Sequence, residues 1–201
     1  MKKILISRLR NKETTQTDFR KAAEELSDWL AFEAASLLPK KEVSVETPVG
    51  PTVGQKFLND QVVIPILRAG LSMLPSFLRV LPEAKVGFLG MRRDEHTFQA
   101  KLYYENLPLI TPSTDVLILD PMIATGGSGK VALDRLKEQG ADPFRILYVG
   151  IIASREGLSF LKSIAPQMKV VVGDVDDKLN DKKFIVPGLG DFGDRYFGTV
   201  T

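Results

Sequence analysis

The chain has 201 residues, 44% of them hydrophobic and 26% charged. That is enough for one ordinary folded domain and far from a disordered composition. Twenty-seven Lys and Arg against twenty-five Asp and Glu leave a net charge of +2, so no global charge calls for nucleic acid or an anionic membrane. Any functional positive charge must be local. The absence of cysteine excludes disulfides, thiolate nucleophiles and Cys-ligated metals, and fits a reducing compartment.

Met1-Lys2-Lys3-Ile4-Leu5-Ile6-Ser7-Arg8 starts like a secretory signal but returns to charge too soon to form its apolar core, so a cytoplasmic protein is expected. From Thr17 to Leu38, Phe19, Ala22, Ala23, Leu26, Trp29 and Leu30 recur at helical spacing among charged residues, which predicts an amphipathic helix ending before Pro39. Residues 40–57, with Pro48, Gly50, Pro51 and Gly54, read as an irregular crossover with at most one strand. Short buried-type runs follow at Val62–Leu67, Val86–Met91, Val116–Leu119, Ile146–Ile152 and Val170–Val175, separated by helix-length segments at Leu71–Leu81, Gly129–Gln139 and Glu156–Ile164. Strand alternating with helix predicts an α/β fold, a doubly wound, mostly parallel sheet flanked by helices, in a single domain over residues 1–201. Thr97–Tyr104 alternates like a hairpin strand, so residues 93–104 are expected to form a mobile β-arm.

Ligands of an open parallel sheet gather at the carboxyl ends of its strands. The strongest candidate there is Asp120-Pro121-Met122-Ile123-Ala124-Thr125-Gly126-Gly127-Ser128, between a buried run and a helix. Hydroxyls and glycines at a helix N-terminus offer amide donors, close backbone approach and a favourable dipole, which suits a phosphate monoester, while Asp120 suits sugar hydroxyls beside it. The segment is not a P-loop, because Ala124 and Val131 stand where Gly and Ser or Thr are needed. Gly127, Gly129 and Ala132 match dinucleotide spacing, but six residues separate Asp120 from Gly127, whereas that fold turns directly from strand to helix.

Arg68, after Pro65-Ile66-Leu67 and before Ala69-Gly70, can grip a phosphate or pair with a local carboxylate; Arg92-Arg93 at the next strand tip is a further anion contact or a solvated charge run. His96 is the single histidine and reads as a surface residue. Asp174, Asp176, Asp177 and Asp181 fail the calcium-loop pattern at Leu179 and Ile185 and read as solvated charge. Gly188, Gly190 and Gly193 also match dinucleotide spacing, but eight residues follow Gly193, too few for a crossover helix and second strand. Pro187 and the three glycines instead describe a rigid loop whose backbone groups can read the edge of a planar heterocycle.

Leu9-Arg10-Asn11-Lys12-Glu13-Thr14, Val63 through Gly70, Asp120 through Ser128, and Val186 through Asp191 with Gly193-Asp194-Arg195 together resemble the uracil phosphoribosyltransferase family in order and spacing. The resemblance implies transfer of phosphoribose from phosphoribosyl pyrophosphate (PRPP) to N1 of uracil, giving UMP and pyrophosphate. By resemblance, Arg68, Arg93, Asp191 and the loop Asp120–Ser128 contact PRPP, and Ile185, Gly190, Asp191 and Phe192 contact uracil within a C-terminal hood over residues 176–201. Asp120 and Asp191 are the expected catalytic carboxylates, Asp191 as the candidate to assist loss of the N1 proton. With no cluster of carboxylates in the sequence to hold it directly, Mg²⁺ is expected to arrive with PRPP. A homodimer or higher homo-oligomer, without membrane or nucleic-acid partners, is implied as well. Phe192 stands where the family commonly has a small residue, and its side chain is expected to narrow the base pocket. The alternatives are transfer to another nucleobase, or an RNA-binding pyrimidine regulator with the same fold, which would present a basic face.

Overall fold

The computed structural model describes residues 1–94 and 100–199. Helix α1 (Lys2–Arg10) buries Leu5, Ile6 and Leu9, one helical face that charged neighbours on both sides disguise in the sequence. Helix α2 (Gln16–Ser36) begins where the Thr15 hydroxyl accepts the Asp18 amide at 3.2 Å, an N-cap of the usual kind. Its buried face, Phe19, Ala22, Ala23, Leu26 and Leu30, packs on α1 and on the central sheet.

Residues 40–57 correct the expected crossover: strands β1 (Lys40–Glu46) and β2 (Pro51–Phe57) form a seven-residue antiparallel ribbon with Val43 opposite Gly54. The Thr47 hydroxyl closes its turn by accepting the Val49 and Gly50 amides at 3.2 and 3.1 Å. Most of the ribbon is exposed on both faces, so the apolar alternation that marks a half-buried strand is missing from its sequence.

Strand β3 (Gln61–Leu67) leads through a 3₁₀ turn, Ala69–Ser72, into α3 (Leu74–Val80). The expected helix over 71–81 is thus divided, and Pro75 lies in the first turn of α3, where its missing amide hydrogen costs no bond. The run 86–91 is also divided, into β4 (Lys85–Val86) and β5 (Phe88–Arg93), which pair with opposite ends of β3. Then come β6 (Ala100–Asn106), β7 (Asp115–Leu119), β8 (Met122–Ile123), α4 (Gly127–Glu138), β9 (Ile146–Ser154), α5 (Arg155–Ile164) and β10 (Lys169–Asp176). The C-terminal part adds β11 (Lys178–Leu179), β12 (Ile185–Val186) and α6 (Phe192–Phe197).

The main sheet runs β10-β9-β7-β3-β5-β6, parallel throughout except for the β5–β6 edge. Alternate strand residues feed opposite cores. Val63, Leu117, Leu119, Val149 and Ile151 pack with α1, α2 and α3, whereas Ile64, Ile118 and Tyr148 pack with Ala132, Leu133, Leu136 and Leu161 of α4 and α5. The fold is therefore doubly wound, with both faces of β7 and β9 buried, which is why those strands read as uninterrupted apolar runs. From β3 the chain builds outward to β5 and then returns to β7 and builds the other way. The switch point thus lies between β3 and β7, where a crevice opens at the carboxyl ends of both strands.

Residues 100–104 of the expected arm lie in β6, which runs on to Asn106 antiparallel to β5, and Arg135 of α4 anchors that strand with Nε and Nη2 bonds of 2.6 and 2.9 Å to Glu105. The arm's expected tip, including His96 and Thr97, lies outside the described residues. No helix among the described residues is long and apolar enough to cross a membrane.

Candidate active site

The two strand ends at the switch point carry Arg68 and Asp120. After β3 the chain turns sharply against β7, and a Cβ at Gly70 would lie 2.4 Å from the Leu119 carbonyl oxygen. Glycine at this position brings the Arg68 turn up against the strand that ends in Asp120. Arg68 is exposed, and its guanidinium carbon lies 6.0 Å from the Phe197 ring centre. Arg93 is the last residue of β5; its side chain lies outside what the structure describes.

Beyond β7, residues 120–129 form a small cradle of about 20 Å³ lined by Asp120 and by Met122 through Gly129. Gly126 caps α4 in a left-handed conformation, φ +79°, and a Cβ there would meet Phe160 at 2.9 Å. The first turn of α4 therefore opens directly onto the cradle and presents its amide ends and dipole to an anion. Behind the loop, the buried Ser154 hydroxyl donates to the Ala124 carbonyl at 2.5 Å and accepts the Gly157 amide at 2.9 Å. Asp120 Oδ2 accepts a 2.8 Å bond from the Tyr148 hydroxyl, and Oδ1 lies 3.3 Å from the Met122 amide. Pro121 lines neither the cradle nor the larger cavity beside it; its carbonyl accepts the Ile151 and Ile152 amides at 3.1 and 3.0 Å. Ile123 is buried in the core and offers the cradle backbone.

The larger cavity, about 760 Å³, lies beside the cradle, and Met122 and Ala124 line both. Arg68, Ala69, Ile185 and Gly190 through Gly193 line it. Ile185, Gly190, Asp191 and Phe192, the expected base contacts, thus come together at one cavity. Asp191 is exposed and caps α6 by accepting the Asp194 amide at 2.9 Å. Phe192 departs from the expectation that its side chain narrows the pocket. It is 1% exposed, with its ring centre 5.3 Å from that of Phe19 and 5.7 Å from that of Tyr196. Its bulk fills the core between α2 and α6.

Lys182, Lys183 and Phe184 also line the cavity, and sequence reasoning passed over them. The signal was two adjacent lysines a few residues before the glycine loop, which add positive charge to the cavity lining. Lys183 lies 3.7 Å from Glu156.

Asp174 and Asp176 correct the reading of that acidic stretch as solvated. Asp176 is 5% exposed and accepts from Arg10 Nη1 and Nη2 at 2.7 and 2.8 Å, while Asp174 takes a 3.0 Å bond from Nη2. Burial pushes the Asp176 carboxyl up, but the Arg10 guanidinium and the Gly188 amide outweigh it and leave the group below its ordinary value. A pair 166 residues apart in sequence leaves no local signal. Arg195, present in the sequence only as part of the motif after the glycine loop, donates to the Leu189 and Asn11 carbonyls at 2.7 Å each and lies 4.4 Å from the Phe19 ring centre. Asp177 is exposed and pairs with Arg155.

Comparison with known proteins agrees with this geometry. The family model described as uracil phosphoribosyltransferase matches residues 1–199. A protein of Salinibacter ruber named uracil phosphoribosyltransferase is 44% identical over 191 residues, 95% of this chain and 90% of its own length. One of the same name from Halalkalibacterium halodurans is 43% identical over 192 residues, 95% of this chain and 91% of its own. Among solved structures, a protein of Aquifex aeolicus superposes with a TM-score of 0.88 at 38% identity, covering 100% of this chain and 95% of that one. A hypoxanthine-guanine phosphoribosyltransferase of Bacillus anthracis, TM-score 0.51 at 15% identity and covering 80% of each chain, shares the fold. With the family model spanning nearly every residue and its relatives aligned over nearly their whole length, the chain belongs to the uracil phosphoribosyltransferase family.

Proposed function

We propose that this protein transfers the 5-phosphoribosyl group of PRPP to N1 of uracil, releasing UMP and pyrophosphate, as a pyrimidine salvage enzyme. The observation that carries this reading is the adjacency of the two concavities. An anion cradle at a helix N-terminus and a cavity lined by Arg68, Ile185 and Gly190 through Gly193 share Met122 and Ala124 in their linings, so a 5-phosphate on the cradle amides brings the sugar's C1 toward a base in the cavity.

In this reading the cradle amides hold the 5-phosphate, and Asp120 accepts hydrogen bonds from ribose hydroxyls. The bond from C1 to the pyrophosphate oxygen breaks, the bond from uracil N1 to C1 forms, and the N1 proton leaves. The transition state has an oxocarbenium-like sugar and a leaving group gaining negative charge, so fixed positions and fixed positive charge supply most of the acceleration. Arg68, with Lys182 and Lys183, supplies positive charge for the leaving group, and Arg93 is assigned to it by the family resemblance alone. Asp191 takes the N1 proton in this reading; that it lines the cavity, with Oδ1 accepting the Asp194 amide, supports the assignment. Among the described residues no group of three or more His, Cys, Asp or Glu could hold a metal ion; Mg²⁺ enters as part of the substrate, on PRPP oxygens. Incubation with Mg²⁺, PRPP and labelled uracil is expected to move the label into UMP with equimolar pyrophosphate. Label that stays in free uracil overturns the reading.

The enzyme also reads as a homodimer or higher homo-oligomer. Ile4, Trp29 and Phe32 on α1 and α2 are 55%, 52% and 66% exposed, and large apolar side chains held in water support a contact surface. Light scattering coupled to gel filtration tests it, with a monomeric mass as the contrary result.

A further inference from the structure

The loop that walls the base side of the cavity is held from behind by the first helix. Arg10 stands in the last turn of α1, and Asp176 ends β10. Besides its two bonds to Asp176, Arg10 donates through Nη1 to the Gly188 carbonyl at 2.9 Å, and Asp176 Oδ2 accepts the Gly188 amide at 2.8 Å. The pair therefore holds both peptide groups of a single residue.

That residue sits where the loop folds back on itself. Gly188 has φ +60°, and a Cβ there would be 2.1 Å from the Ile185 carbonyl oxygen. Any side chain at 188 would collide with Ile185, so the loop folds back tightly there, and Gly190 follows two residues on. Ile185 and Gly190 line the cavity, whereas Arg10, Asp176 and Gly188 do not. Arg195 reaches the same loop at Leu189 and the same N-terminal segment at Leu9 and Asn11. The two arginines thus tie the segment after α1 to the loop on either side of Gly188.

We propose that Arg10 and Asp176 are positioning residues for base recognition, setting the backbone of residues 185–190 through Gly188 without touching either substrate. This rests on the reading of the 185–193 wall as the base site. A guanidinium fork is required, because only a planar group with parallel donors spans both oxygens of Asp176 and still reaches the Gly188 carbonyl.

The test compares wild type with Arg10→Lys, which keeps the charge and loses the fork, and Asp176→Asn, which keeps an acceptor for the Gly188 amide and loses the charge. Each variant is expected to raise KM for uracil about tenfold while KM for PRPP and kcat at saturating uracil stay within about twofold, the loss of a positioned rather than a reacting group. Arg10→Met is expected to lose more than Arg10→Lys, so that lysine gives partial rescue. Hydrogen exchange without substrates reads the clamp itself: amides of residues 185–190 should exchange about tenfold faster in Arg10→Lys, with β7 and β9 unchanged. Unchanged exchange, or equal loss of PRPP and uracil affinity in soluble variants, overturns the proposal. A wild type that consumes no uracil, with the exchange result intact, overturns the base-site reading and leaves the clamp standing.

Discussion

The Tyr148 hydroxyl, in a fully buried residue, donates a 2.8 Å hydrogen bond to the carboxylate of Asp120. Burial, reinforced by the negative charge of Asp120, pushes the phenol well above its ordinary value, so it remains a donor across the physiological range. The carboxylate at the end of β7 is thereby held in one orientation. Removing the donor in Tyr148→Phe removes a bond to a charged group, worth about 1.5–3 kcal/mol. The expected outcome is a fall of about 10- to 100-fold in kcat/KM for PRPP with KM for uracil little changed, measured by steady-state kinetics.

The cradle at 120–129 depends on close packing behind it. A Cβ at Gly157 would lie 2.4 Å from the Ala124 carbonyl oxygen and 3.0 Å from that of Ile123. Gly157→Ala must displace the loop or the start of α5, at a cost of about 1–3 kcal/mol. The enzyme is expected to fold with a lower melting temperature and to bind PRPP more than about tenfold more weakly, as titration calorimetry with Mg²⁺ and PRPP would read.

Asp191→Asn separates the cap from the charge. Asparagine caps a helix as well as aspartate does, so α6 should survive and melting should shift little. If the carboxylate takes the N1 proton, kcat falls by about 100-fold or more; normal turnover in this variant removes that role from Asp191.

The depressed Asp176 carboxyl has a consequence for acid stability. A carboxyl lower in the folded than in the unfolded chain contributes stability that is present above the unfolded value, about pH 3.9, and is lost as pH falls toward the folded value. Wild type should therefore lose stability in acid more steeply than Asp176→Asn, with the two denaturation curves converging below about pH 4. Urea unfolding between neutral pH and pH 3 measures the difference.

The parts of this molecule that a reader of the sequence can find are those whose cause is local. The strands β3, β7 and β9 are buried on both faces and read as apolar runs; the cradle at 120–128 keeps its carboxylate, hydroxyls and glycines contiguous. What was hidden depends on distant partners. The β1–β2 ribbon has too little buried surface to impose a pattern, and α1 gains its meaning from α2. Asp176 looked like one charge among several because its partner stands on the first helix. Phe192 looked like an obstacle in the pocket because only Phe19 and Tyr196 show where its ring goes.

The proposed seating of uracil in the cavity and of PRPP on the cradle beside it is tested most directly by pyrophosphate release from PRPP and Mg²⁺ in the presence of uracil, cytosine, hypoxanthine, guanine, adenine or orotate, each alone. Release with uracil and with no other base is the predicted result. Release with a different base would keep the cradle and contradict the assignment of Ile185, Gly190 and Phe192 to uracil, and release with none would contradict the account as a whole.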